Sequence, residues 1–180
     1  VMKSVSTYCL VKDGRMVDVF EVERGLACGC VCPKCKAPLQ ANKGKQRTYF
    51  SHDPKLKTTE CVNALETALH KMAKQLLLDT KQAIFPELTI TESLKLSYTE
   101  YTDSVVVTPE QTFRFDNVSQ EVTVEDIRPD VLAYVNGKPV IIKNAVTHFS
   151  DGEKNKKIRQ LNRAAIEIDL SKISRLPTKE

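Results

Sequence analysis

The chain has 180 residues, of which 41% are hydrophobic, 28% charged and 6% aromatic, with no Trp. That suits one well-buried domain, or a core domain beside a small module, and it excludes collagen-like, low-complexity and mucin-like classes. The net charge is +4, and no apolar run approaches the roughly 20 residues that a membrane span needs. Val1 ahead of Met2-Lys3-Ser4 reads as a leftover before a native start. No apolar secretory stretch follows it, so a cytoplasmic address away from membranes is expected.

Position says more about charge than the sum does. Lys34 to Lys57 holds seven basic residues against Asp53, whereas Gln82 to Asp126 holds nine acidic residues against Lys95 and Arg114. A basic module beside a less basic body suits a polyanion partner.

In chain order, Thr7 to Val22 alternates about Asp13-Gly14, which predicts a two-stranded hairpin. Gly25 to Cys61 is poor in aliphatic residues and holds five of the six cysteines, so something other than an apolar core is expected to hold it. A helix is expected to begin at Asn63, with Asn63 as N-cap and Glu66 completing a capping box. Leu65, Ala68, Leu69, Met72, Ala73, Leu76 and Leu77 follow the helical period. Glu66, His70 and Lys74, spaced four apart, stack along one edge of it.

The period then falls to two. Leu88–Tyr98, Ser104–Thr108, Thr112–Asp116 and Val118–Val124 are predicted as the strands of a meander. Asp130–Val135 and Val140–Val146 are more continuously apolar and read as central strands, joined by a tight Asn136-Gly137 turn. Asp151 to about Arg163 reads as a basic amphipathic helix with Ile158 and Leu161 inward. Ala164–Leu170 reads as a buried strand and Ser171–Glu180 as a fraying tail. Two units are expected: a hairpin and metal module over 1–62, and a core over 63–180.

Cys28-x-Cys30-x-Cys32-x2-Cys35, then His52 and Cys61, place six soft or borderline ligands within 34 residues. A Cys-x2-Cys knuckle closed by a second, distant pair is how structural Zn2+ sites are built. Cys32, Cys35, His52 and Cys61 are the expected ligands, with Cys28 and Cys30 in reserve. Disulfides conflict with the missing secretory signal, and a bound metal would supply the folding free energy of so polar a segment. Cys9 reads as a buried thiol packed as a small hydrophobe.

Phosphodiester hydrolysis with a divalent ion needs converging carboxylates and a lysine. An α-β-β-β-α-β run, with an acidic residue opening one central strand and a second functional position midway along its partner strand, is the layout of restriction-endonuclease-like cores. Asp130, after Arg128-Pro129, opens the first strand and lies 13 residues before Lys143. The Cys32-Pro33-Lys34-Cys35 knuckle and Tyr49-Phe50-Ser51-His52 belong to a wider pattern. It continues through Glu66-Thr67-Ala68-Leu69-His70 with Lys74, then Arg128-Pro129-Asp130, and ends with Val140-Ile141-Ile142-Lys143-Asn144-Ala145-Val146-Thr147-His148 and Glu153-Lys154. In this order and spacing the chain resembles the competence protein CoiA-like family of PD-(D/E)xK nucleases over most of its length.

The resemblance implies a mixed α+β or α/β fold: a restriction-endonuclease-like core preceded by a hairpin and a zinc-ribbon-like module. It implies Mg2+ or Mn2+ at Asp130, DNA or RNA as partner, and catalytic roles for Glu66, His70, Asp130, position 143, His148 and Lys154. It also implies an acidic residue where Lys143 stands, in a strand of the form apolar-Glu-apolar-Ala-Val-Thr-His, and Ala145 occupies the usual Lys slot of the PD-(D/E)xK motif. A protonated ammonium cannot ligate a metal, and Lys154 is the candidate for the displaced lysine. A single base separates Glu and Lys codons. The chain therefore reads first as a catalytically inactive form of a DNA endonuclease, and second as a zinc-dependent nucleic-acid-binding protein without catalysis. A zinc-scaffolded adaptor using Gln82–Asp126 as its contact surface is the third reading, and a homo-oligomer or protein partner is compatible with each. Plainer roles stand beside the catalytic ones: Glu66 as a helix cap paired to His70, Thr147-His148 as the cap of the next helix, and Lys154, Lys156, Lys157, Arg159 and Arg163 as a solvated face.

Overall fold

The computed structural model describes residues 6–53, 55, 61, 63–147 and 152–173, without the side chains of 154 and 155. The first hairpin forms: β1 (Tyr8–Leu10) and β2 (Met16–Asp18) pair antiparallel, Cys9 opposite Val17. In its turn Gly14 takes φ 88, and the Asp13 carboxylate accepts from the Arg15 N–H at 2.9 Å. The second strand stops short of Val22 because Asp18 caps a 3-10 turn, Val19–Glu21. The Asp18 carboxylate accepts from the Phe20 N–H, and Glu21 accepts from the Asp18 N–H, a capping box that ends the extended run.

Strands β3 (Leu39–Lys43) and β4 (Thr48–His52) form a second antiparallel pair. The segment around them does have an apolar core, borrowed in part from the first hairpin. Phe50, Leu39 and Ala41 pack with Cys9, Val17, Val19, Cys30, Cys32 and Ala64. Pooling side chains from separate stretches offsets the scarcity of aliphatics within 25–61.

Helix α1 (Ala64–Thr80) follows the predicted stripe, but its cap differs from expectation. Asn63 adopts φ 61, ψ 24 and makes no side-chain cap bond, a left-handed conformation that Asn tolerates better than most residues. Its carbonyl accepts from the Thr67 N–H and hydroxyl, each at 3.1 Å, and Glu66 bonds elsewhere.

The expected meander is not one sheet. Beyond Lys81, at φ 49, β5 (Gln82–Phe85), absent from the sequence-based expectation, pairs with β8 (Gln111–Arg114). Between them β6 (Leu88–Leu96) and β7 (Thr99–Thr108) form a separate ribbon. Of the predicted strands after the helix, β9 (Asn117–Gln120) joins the main sheet with β10 (Val131–Val135), β11 (Lys138–Ala145) and β12 (Ala164–Asp169), in the order β12-β11-β10-β9. Helix α2 (Gly152–Gln160) makes the crossover between β11 and β12, the parallel pair of this sheet. The elements around this sheet thus run α1-β9-β10-β11-α2-β12, with β5 to β8 inserted after α1.

Strand β11 is central as expected, between β10 and β12. Strand β12 is paired on one side and mostly exposed, so the buried strand predicted there is an edge; alternation sends Ile166 and Ile168 toward the core. On the α1 face of the sheet, Val131, Ala133, Val140 and Ile142 pack with Leu77, Phe115 and Val118. On the other face Leu132 and Ile141 pack with Val124, Tyr134 and Leu161. Each such aliphatic contributes roughly 1.5–3 kcal/mol by leaving water. No helix of the described residues is long and apolar enough to cross a membrane.

Candidate functional site

Two groups of chemistry-bearing side chains meet near the start of α1. The first is Cys32, Cys35, His52 and Cys61, whose ligand atoms all lie within 4.8 Å of one another. Cys32 Sγ is 3.7 Å from Cys61 Sγ, and Cys35 Sγ is 3.2 Å from His52 Nε2. A disulfide would need about 2.05 Å. Two sulfurs each about 2.3 Å from a tetrahedral ion stand roughly 3.8 Å apart, so the spacing fits a shared cation. The knuckle is closed by Cys32 N–H donating to the Ala37 carbonyl (2.8 Å) and Lys36 N–H to the Cys32 carbonyl (2.9 Å). His52 ends β4 opposite Leu39.

The thiols are not equivalent. Burial, then the neighbouring Cys35 and Cys32, push Cys61 up to about 12. Burial also raises Cys35, but hydrogen bonds from the Ala37 backbone and from Cys32 and Cys61 outweigh it and bring that thiol below its ordinary value. A cation is what would allow several of these sulfurs to be thiolates at once. The four residues could hold a structural metal such as zinc.

The reserve ligands do not join them. Cys28 donates its thiol to the Leu39 carbonyl at 3.3 Å and Cys30 to the Cys28 carbonyl at 3.5 Å. Cys28 ends a 3-10 turn and Gly29 follows at φ 62, so Cys28, Cys30 and Cys32 do not lie in the single extended run that the sequence suggested. Cys9 is fully buried, and burial pushes its thiol up to about 11.

The second group lines a cavity of about 410 Å³, whose walls include Lys34, Glu66, His70, Lys71, Lys74 and Asp130. Asp130 Oδ2 accepts from the Asn144 N–H at 2.8 Å, and Oδ1 lies 3.5 Å from Lys74 Nζ. Lys74 also reaches Glu121 Oε1 at 3.4 Å, and Arg128 donates to the other Glu121 oxygen. The Arg128 hydrogen bond first, with Lys74 beside it, holds the Glu121 carboxyl below the usual range. Glu66 accepts from the Thr147 hydroxyl at 2.7 Å, tying α1 to the residues just past β11.

Glu66, His70 and Asp130 therefore come together from segments 60 residues apart, as the helix edge and the head of β10 meet. Val131 is the Cα partner of Ile142. The register ends at that pair, and Lys143, next to Ile142, alternates onto the Ile141 face of the sheet and is not among the residues that line the cavity. Lys143 is half-buried, with Glu167 as its Cα partner on β12. His148 lies outside the described residues, and Lys154 falls within α2 with its side chain outside the description. Lys34, Lys71 and Lys74 are wall residues that sequence reading left without a catalytic role. The i+4 spacing from His70 was the available signal for Lys74; Lys34 had none beyond its place in the basic module.

As it stands this donor set does not fit Mg2+ or Mn2+. Such ions need several hard oxygens, whereas Asp130 has an ammonium 3.5 Å away and one oxygen engaged by a backbone N–H. Next along β11, Asn144 is buried at 4% exposure with neither side-chain polar atom partnered among the described residues. Comparison of the chain with family models, with curated proteins and with solved structures gave no match.

Proposed function

We propose that the chain is a catalytically inactive form of a metal-dependent DNA endonuclease of the PD-(D/E)xK type, which binds nucleic acid without cutting it. The observation that carries this reading is the convergence of Glu66, His70, Lys74 and Asp130 on one cavity. The α1-β9-β10-β11-α2-β12 order supports it, because it is the run that restriction-endonuclease-like cores use. Lys143 removes the second strand carboxylate and adds a cation. What remains is a pocket with Lys34, Lys71 and Lys74 in its wall, suited to hold a phosphate.

The Cys32, Cys35, His52 and Cys61 group holds Zn2+ in this reading, and the ion supplies folding free energy to the module. It has a second consequence: Lys34 stands between two of the ligands and also in the cavity wall, so the zinc knuckle presents a cation to the bound strand. A binding protein that never had catalysis is the competing reading. It is favoured by the Lys74–Asp130 pair, which occupies the carboxylate a metal would need.

Binding by the unaltered chain to a labelled short DNA duplex, and to its single strands and RNA equivalent, tests the reading. Three or four phosphate contacts predict that log affinity falls with log salt at a slope of about −3. Lys34→Ala should flatten that slope by about one. No binding near 50 mM salt, or a slope near zero, would contradict every nucleic-acid role.

A further inference from the structure

The β6–β7 ribbon is amphipathic across its two faces, and both are exposed among the described residues. Opposite residues of an antiparallel pair share a face, and the register sorts them into two sets. One face carries the pairs Thr89–Val106, Thr91–Ser104, Ser93–Thr102 and Lys95–Glu100, polar but for Val106. Its hydroxyls bond across the strands at 2.8 and 3.0 Å, as a solvent face should. The other carries Ile90–Val105, Glu92–Asp103, Leu94–Tyr101 and Leu96–Thr99. Its apolar members are far from buried: Ile90 is 48% exposed, Leu94 59%, Tyr101 59% and Val105 61%.

Among the described residues the ribbon pairs with no other strand. An isolated two-stranded hairpin is marginal in water, so exposed apolar pairs on either side of an acidic pair point to a surface that a partner covers. The charge at its centre says what covers it. Glu92 and Asp103 sit directly opposite each other, a destabilising arrangement for like charges. No salt bridge reaches either among the described residues, and Asp103 accepts from its own neighbour, the Ser104 N–H. A nucleic acid would add to that repulsion. A second copy laid face to face about the ribbon centre would bring four carboxylates together.

We propose that this face docks a helical segment of another protein in which a lysine or arginine is flanked by apolar side chains. Ile90 and Leu94, four strand residues apart, are separated by about 13 Å with the acidic pair midway. Eight residues of helix rise about 12 Å, so an apolar-x3-basic-x3-apolar pattern matches the spacing. The cation neutralises both carboxylates while its flanking apolar groups cover Ile90–Val105 and Leu94–Tyr101.

The test uses the whole chain and two synthetic helical peptides, one with Leu-x3-Arg-x3-Leu spacing and one with Glu in place of Arg. Side-chain methyl NMR signals and labelled-peptide anisotropy are the readouts. The Arg peptide should bind, shifting the Ile90, Leu94 and Val105 methyls. Glu92→Gln, nearly isosteric and neutral, should weaken it several-fold. Reversing both charges with Glu92→Lys and Asp103→Lys should weaken it at least about tenfold and transfer preference to the Glu peptide. Equal binding of both peptides, or Arg-peptide affinity that Glu92→Gln leaves unchanged, would overturn the proposal. So would methyl shifts produced by a DNA oligonucleotide, or a dimer in sedimentation that Leu94→Ser dissolves.

Discussion

Cys35 and Cys28 are chemically alike and seven residues apart, yet their thiols face different partners. The first points at His52 Nε2 and the second at the Leu39 carbonyl. Cys35→Ser replaces a thiolate with a poor zinc ligand, so metal content should fall from about one ion per chain to near zero, with amide protection lost in β3 and β4. Cys28→Ser should keep the ion. Elemental analysis of both reduced variants is the check, and a Cys35→Ser protein that retains a full equivalent would remove the tetrad as the site. This group was legible in the sequence because each ligand type carries its own chemistry and Cys-x2-Cys is a local geometry. Glu66 was not. A capping box is read from two nearby residues, whereas the hydroxyl that Glu66 accepts from belongs to Thr147, 81 residues on, and no local pattern reports it.

Strand β11 shows what an element adds beyond its residues. Ile142 and Ile141 are fully buried on opposite faces of the sheet, so the strand is apolar on both sides, and Asn144 interrupts that pattern with two side-chain polar atoms that have no partner among the described residues. An unsatisfied buried polar group costs about 1–3 kcal/mol. Asn144→Val, which suits a central strand, should raise unfolding stability by about 1–2 kcal/mol, read as a higher urea midpoint at unchanged m-value. A lower midpoint would mean that Asn144 is satisfied in solution. The β10–β11 hairpin was readable from Asn136-Gly137, since the two take φ 50 and φ 72, the positive values that a tight hairpin turn requires. Strands β5 to β9 were only half readable. Alternation reveals that a segment is extended and which residues share a face, but not its partner. Nothing in 82–120 says that β5 reaches past the ribbon to β8, or that β9 leaves them for the main sheet.

At the scale of the molecule, β5 to β8 are inserted between α1 and β9 without joining the four-stranded sheet. The acidic stretch still reaches the cavity through Glu121, which pairs with Lys74 in its wall. The order α1-β9-β10-β11-α2-β12 could be anticipated from the sequence of helical and alternating periods. The contact of Lys74 with Asp130 could not, because it depends on how α1 lies across the sheet. The central claim is that this architecture is a nuclease site disabled at one position. Lys143→Glu exchanges a cation for an anion on β11, the strand paired with β10, and supplies the second carboxylate that the proposal requires. The variant should bind Mn2+ or Mg2+ measurably in titration calorimetry, where the unaltered chain binds weakly. It should also nick or cut DNA in a metal-dependent way, and adding Asp130→Ala should abolish both gains. A Lys143→Glu protein that folds, binds DNA with the same salt slope, and shows neither metal binding nor cleavage on single- or double-stranded substrates would contradict the nuclease account and leave a binding protein in its place.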